Sequence, residues 1–322
     1  PPYMKILVTG SSGFIGFHLV KRLLHFDHEI IGVDNHNDYY DVSLKELRRD
    51  SLGKKNFTFY EQDINNLSIP ESGFDLAINL AAQAGVRIQE ENEHLYEESN
   101  TKGFEEFCKF CKSKKIKKII YASSSSVYSE KIRGKFIEGE SELKPKSKYG
   151  ASKLANEEYA QMFMSTSNIS FIGLRFFSVY GPFGRPDMAY FLFTNSIKRN
   201  ISIMLNNKGL MTRDMTYIDD IIDGICGAIS YMNNEKEQIR NEIFNLGNDQ
   251  PVSTRALLSA IEKKIQSSTV IKDVQTYNEA FMTHADITKA KNQLGYDPKV
   301  SFEEGIELFL NWHSKYENKE KT

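Results

Sequence analysis

The opening of this chain constrains its fold more than any other stretch. Lys5-Ile-Leu-Val-Thr9 is a continuous apolar run, the kind that forms a parallel strand buried on both faces. Gly10-Ser-Ser-Gly13-Phe-Ile-Gly16 follows at once, and Phe14 to Leu24 then carries Ile15, Leu19 and Leu23 at helical spacing. Glu29-Ile-Ile-Gly-Val33 reads as a second strand, closed by Asp34. The glycines are spaced one position wider than in the common dinucleotide fingerprint, but the physics is unchanged. They permit a tight turn and a close approach of backbone, and free N–H groups at the helix start face a pyrophosphate. A carboxylate at the second strand's end accepts hydrogen bonds from ribose hydroxyls and repels a 2′-phosphate, so Asp34 predicts NAD rather than NADP.

The pattern continues. Further strands are predicted at 57–60, 74–79, 117–121 and 170–175, with helices at 93–113 and 149–165. Strands alternating with helices predict an α/β fold, a Rossmann-type doubly wound parallel sheet. Beyond about 180 the pattern loosens, with helices expected near 187–199, 219–232, 253–266 and 302–316. We therefore expect a dinucleotide-binding domain over 1–178, to which segments near 215–247 return, and a smaller mixed α/β substrate domain over 179–322. Asp63-Ile64 follows the third strand, where a side chain meets the adenine amine. Leu80-Ala81-Ala82 follows the fourth, where small residues let a cofactor lie against backbone.

Composition narrows the partners. The 41 basic and 43 acidic residues nearly cancel, so no global basic field for nucleic acid exists. No apolar run approaches the ~18 residues needed to cross a bilayer. Pro1-Pro2-Tyr3-Met4 has no basic leader or cleavage pattern, which points away from secretion and to Met4 as the natural start. Three cysteines cannot build a disulfide framework; Cys108-x-x-Cys111 reads as two reduced thiols on a helix, without a second pair to complete a metal site. A reducing cytoplasm and no metal are the expectation. The Lys112–Lys118 cluster reads as a solvated helix end.

Tyr149-Gly-Ala-Ser-Lys153 opens a helix, and a spacing of four puts Tyr149 and Lys153 on one face. The lysine ammonium, with the positive nicotinamide of NAD⁺, is expected to lower the tyrosine pKa from about 10 and make the phenol a usable base. Tyr121-Ala-Ser-Ser-Ser-Ser-Val-Tyr128 leaves a buried strand at its carboxyl end, where open α/β sheets bind ligands. Taken with the glycine turn, this predicts a proton-transfer site.

These motifs resemble the extended short-chain dehydrogenase/reductase family. The likeness is closest to its nucleotide-sugar 4-epimerases, and among them to UDP-glucuronate 4-epimerases. Asp34-Asn-His-Asn-Asp-Tyr-Tyr-Asp41, Leu80-Ala-Ala-Gln-Ala-Gly-Val-Arg87, Leu174 to Met188 and Arg213 to Asp220 carry the finer match, which runs over nearly the whole chain. The resemblance implies Tyr149 as general base, Lys153 as its partner, and Ser124 as the hydroxyl that meets the sugar 4-OH and relays its proton. It implies hydride transfer from C4 to NAD, a 4-keto sugar that turns over, and return of hydride to the other face. Dehydratases of the family carry an Asp-Glu pair after the Ser/Thr. Here Ser125 and Ser126 stand there, so elimination lacks its acid and base.

The candidate cofactor contacts are thus Gly10, Gly13, Phe14, Ile15, Gly16, Asp34, Asn35, Asp63, Ile64, Leu80, Ala81, Ala82, Gln83 and Asn100, with Tyr149 and Lys153. The candidate contacts to a UDP-sugar are Arg87, Ser124, Ser125, Ser126, Ser178, Arg185 and Arg213. Arg213 matches an arginine that meets the diphosphate; Ser125, Ser126, Ser178 and Arg185 suit a C6 carboxylate by hydrogen bonding. The likeness also implies a homodimer through the helices at 93–113 and 149–165. Two stretches depart from the family: Tyr277-Asn-Glu279 replaces Arg-Gly-Asp, and Ile88-Gln89 replaces Tyr-Ser. UDP-glucose or UDP-N-acetylglucosamine 4-epimerisation, or a nucleotide-sugar dehydrogenase or decarboxylase, therefore stays open. From another class, a silent NAD-binding regulator would leave the Ser/Tyr/Lys set idle.

Overall fold

The computed structural model describes residues 3–86, 88–234, 240–276 and 281–320. The order is β1 (Lys5–Thr9), α1 (Phe14–His25), β2 (Glu29–Asp34), α2 (Val42–Asp50), β3 (Phe57–Glu61), β4 (Leu76–Asn79), a π-helical turn (Tyr96–Lys102) running into α3 (Gly103–Ser113), β5 (Lys118–Ser124), α4 (Lys148–Ser167) and β6 (Ser170–Phe176). There follow β7 (Ser178–Tyr180), α5 (Ala189–Lys198), β8 (Ile203–Asn206), β9 (Thr212–Tyr217), α6 (Ile218–Asn234), β10 (Asn241–Leu246), β11 (Pro251–Ser253), α7 (Thr254–Ile265), β12 (Ile271–Val274), α8 (Thr288–Leu294) and α9 (Phe302–Glu320).

Seven strands form one parallel sheet in the order β3-β2-β1-β4-β5-β6-β10. It is the doubly wound α/β sheet expected from the alternating pattern. Strand β1 shows why it reads as a continuous apolar run. Ile6 and Val8 enter the core on one face, Leu7 the core on the other, and all three are fully buried. Each such side chain contributes about 1.5–3 kcal/mol. The sheet's order reverses between β1 and β4, which opens a crevice at their carboxyl ends. A three-stranded sheet (β11-β9-β7) and a two-stranded one (β12-β8) carry the other wall.

Several elements differ from expectation. The helix expected over 93–113 begins as the π-helical turn, in which Tyr96 and Asn100 are the buried residues. Helix α2 was not anticipated: it is short and polar, and its buried face is Leu44, Lys45 and Arg48. Strands β7, β8, β11 and β12 have three or four residues, too few to show a period. In the Lys112–Lys118 cluster, Lys114 donates to the Ile69 and Glu71 carbonyls at 2.5 and 2.9 Å, so part of that charge ties a loop. Cys108 and Cys111 are buried inside α3, and burial pushes both thiols up. Among the described residues, no helix is long and apolar enough to cross a membrane.

Candidate active site

The crevice is one cavity of about 780 Å³ running from the glycine turn to the short sheets. Its cofactor end is shaped by missing side chains. Gly10 has φ +71°, and a Cβ there would lie 2.7 Å from the Ala81 nitrogen; a Cβ on Gly16 would lie 1.9 Å from the Gly10 carbonyl oxygen. Only glycine lets the turn, α1 and the β4 exit touch. Gly13 caps α1 without a side-chain hydrogen bond, and the first turn holds no acidic residue, so the helix start is left for an anion. Asp34 accepts from the Ser12 and His36 backbone N–H groups at 3.1 and 2.9 Å, which aims its carboxylate along the cavity wall. These features fit a dinucleotide.

The reacting end lies where β5 meets α4. Ser147 caps α4 through the Gly150 N–H at 2.9 Å. A Cβ on Gly150 would lie 2.3 Å from the Ser126 carbonyl oxygen, so that glycine allows the helix to start against the serine turn. Tyr149 is thereby brought to Ser124, whose hydroxyl favours the phenolate. The Lys153 ammonium lies 5.9 Å from the Tyr149 ring centre and donates to the Ala122 carbonyl at 3.2 Å. One turn further, Glu157 receives Ser123 at 2.5 Å and Arg175 Nε at 3.0 Å, in a buried ion pair that pins α4 to β5 and β6.

The electrostatics of Tyr149 are set first by burial. Burial raises the Tyr149 pKa, although the Arg185 charge and the Ser124 hydroxyl pull it down. The Lys153 ammonium, 5.9 Å from the ring centre, does not offset that burial and is itself desolvated. Lys153 is pushed down to about 8.

Most of the anticipated residues meet here. Gly10, Gly13, Phe14, Ile15, Gly16, Asp34, Asn35, Asp63, Ile64, Leu80, Ala81 and Ala82 line one end, and Ser124, Ser125, Ser126, Ser178, Arg185 and Arg213 the other. Gln83 and Asn100 lie behind the wall instead: the Asn100 side chain accepts from the Gln83 backbone N–H at 2.7 Å and donates to Ser152 at 3.1 Å. Arg87, Tyr277 and Glu279 lie outside the described residues. Arg185 holds Asp187 through Nε at 3.0 Å and Nη2 at 2.6 Å, and Tyr39 donates to the same carboxylate at 3.2 Å. Sequence reasoning missed Tyr39, Lys45, Arg48 and Asp187. The available signal was a pair of cations at apolar positions of a short helix, Lys45 and Arg48.

Residues 6–247 match the NAD dependent epimerase/dehydratase family. The chain is 42% identical over 319 residues to an uncharacterized protein of Methanocaldococcus jannaschii, covering 96% of each. It is 38% identical over 333 residues to UDP-glucuronate 4-epimerase 2 of Arabidopsis thaliana, covering 97% of this chain and 76% of that one. The crystal structure of UDP-glucuronic acid 4-epimerase from Bacillus cereus, in complex with UDP-glucuronic acid and NAD, superposes with a TM-score of 0.90 at 33% identity. That match covers 97% of this chain and 100% of the other.

Proposed function

The chain belongs to the NAD dependent epimerase/dehydratase family, and from that premise we propose that it inverts C4 of a UDP-sugar, converting UDP-glucuronate to UDP-galacturonate. The observation that carries the reading is the convergence of Ser124, Tyr149, Lys153 and Arg185 in the cavity that the glycine turn opens. Gly10, Gly13, Gly16 and the start of α1 would hold the pyrophosphate of NAD, Asp34 its adenosine ribose, and Lys153 its nicotinamide ribose. Bound NAD supplies a reversible hydride sink at C4.

The chain's own part is proton transfer. Ser124 orients the sugar 4-hydroxyl, and Tyr149 takes its proton as the 4-keto sugar forms. Once the ketone has turned its other face and C4 has regained its hydride, Tyr149 returns the proton, so there is no net oxidation. Fixed positive charge lowers the cost of the phenolate, and Arg185 supplies it. Two N–H groups of Arg185 are committed to Asp187, leaving three of its five for a C6 carboxylate, with Ser125, Ser126 and Ser178 on the same wall. Arg213 would meet the diphosphate.

The same reading divides the chain into a dinucleotide domain over 1–178, to which segments near 215–247 return, and a sugar domain over most of 179–322. It places the protein in the cytoplasm as a homodimer, supplying an activated uronic acid for polysaccharide synthesis. The dimer reading rests on a reduced surface. Phe104 and Phe107 are spent in the chain's own core, while Phe110 and Tyr159 are half-buried and Met162 is 57% exposed. Light scattering at micromolar concentration tests it; a monomer ends it. The catalytic reading is tested by incubation with UDP-glucuronate, UDP-glucose and UDP-N-acetylglucosamine. We expect UDP-galacturonate from the first, without lasting NADH absorbance. Accumulating NADH, or C4 inversion of the neutral sugars alone, overturns it.

A further inference from the structure

Arg48 is the most deeply placed cation in the molecule that the reading above leaves without a task. It is fully buried, yet every hydrogen bond it makes among the described residues ends on a neutral oxygen. Nε donates to the Phe183 carbonyl at 3.1 Å. Nη2 donates to the Phe183 and Gly184 carbonyls at 2.7 and 3.2 Å. Nη1 donates to the Ser12 carbonyl at 3.0 Å and to the Tyr40 hydroxyl. A guanidinium has five N–H groups in a fixed fork, and here five hydrogen bonds are made.

The acceptors belong to three separate loops. Ser12 sits inside the glycine turn. Tyr40 closes the loop after β2. Phe183 and Gly184 immediately precede Arg185, whose charge is felt by Tyr149. The 182–184 stretch is held from the same side by His18, whose Nε2 lies 2.7 Å from the Pro182 carbonyl oxygen, and by Phe17, which packs on Phe183 at 4.7 Å. Three successive carbonyls of the sugar-side loop are therefore gripped by α1 and α2 of the cofactor side. Burying a cation without a carboxylate costs several kcal/mol, and it is tolerated only where all its donors are met.

We infer that Arg48 is a positioning residue for the sugar site: its guanidinium joins the turn that cradles the dinucleotide to the loop that presents Arg185, and so sets Arg185 beside Tyr149. This rests on the proposed role of Arg185 toward a UDP-sugar carboxylate. Lysine keeps the charge but offers one flexible point with three donors, so it cannot span the three loops.

The test is a double-mutant cycle on the NAD-loaded protein, with UDP-glucuronate affinity read by calorimetry beside turnover. Arg48→Lys should weaken UDP-glucuronate binding about tenfold or more, and change UDP-glucose binding far less. With Arg185→Ala already present, Arg48→Lys should add less than about twofold, because it acts through the group removed. If the two losses multiply, or if both sugars weaken alike, Arg48 only holds the fold and the inference is overturned. Arg48→Gln, which keeps a planar donor, provides the second variant should Arg48→Lys not fold; the same non-additivity is required of it. Wild-type protein that binds UDP-glucuronate but does not invert it would end the reading of the reaction while leaving this cycle readable.

Discussion

The two ends of the cavity are built by opposite means. At the cofactor end, space is made by removing side chains, so that Gly10, Gly13 and Gly16 bring backbone to backbone. At the sugar end, space is shaped by adding polar side chains, some held by others: Arg185 by Asp187, and Asp187 by Tyr39. The first end depends on local chain geometry and tolerates no added atom. The second depends on side-chain pairs, Tyr39 and Asp187 among them drawn from distant parts of the chain, and can be retuned residue by residue.

Four measurements press on that contrast. Tyr149→Phe removes the proton carrier from the sugar end without touching the cradle. C4 inversion should fall about 10²–10⁴-fold while NAD content stays at the wild-type level; loss of both together would break the division. Gly16→Val adds atoms where a single Cβ would already lie 1.9 Å from the Gly10 carbonyl oxygen. NAD retention after gel filtration should fall roughly 10–100-fold in affinity terms, and an unchanged cofactor content would show that the turn can shift. Arg185→Ala should cost about tenfold more on UDP-glucuronate than on UDP-glucose, compared by kcat/KM; equal losses remove the carboxylate role.

The smallest effect is a matter of pH. Lys153 is pushed down to about 8 from its ordinary 10.5 by burial. Between those values the unfolded chain binds the extra proton, so stability rises with pH, and the penalty is full below about 8. The melting temperature of cofactor-free protein should therefore climb by a few degrees from pH 8 to 10 relative to Lys153→Met. Parallel curves for the two proteins would refute the desolvation.

The cofactor end was the more legible in the sequence because its signals are consecutive. An apolar strand, three glycines and a carboxylate at the next strand's end all act over neighbouring residues. Tyr149 and Lys153 were legible for the same reason, being one helical turn apart. The rest depends on separations no local pattern records. Arg48 meets Phe183 across the whole dinucleotide unit, and Asn100 turns back to Gln83 rather than toward the cavity. The burial around Tyr149 was not legible either, because spacing shows a nearby ammonium and hides the packing around the phenol.

Strand β10 carries a consequence for anyone recombining such proteins. The chain leaves the large sheet after β6, builds β7 to β9, returns to lay β10 along β6, and departs again. A sugar-recognition half is therefore not a cassette. A chimera cut once near residue 178 would take its seventh strand from a different parent than the six beside it. Exchanging specificity cleanly requires two separate transplants, one on each side of 241–246.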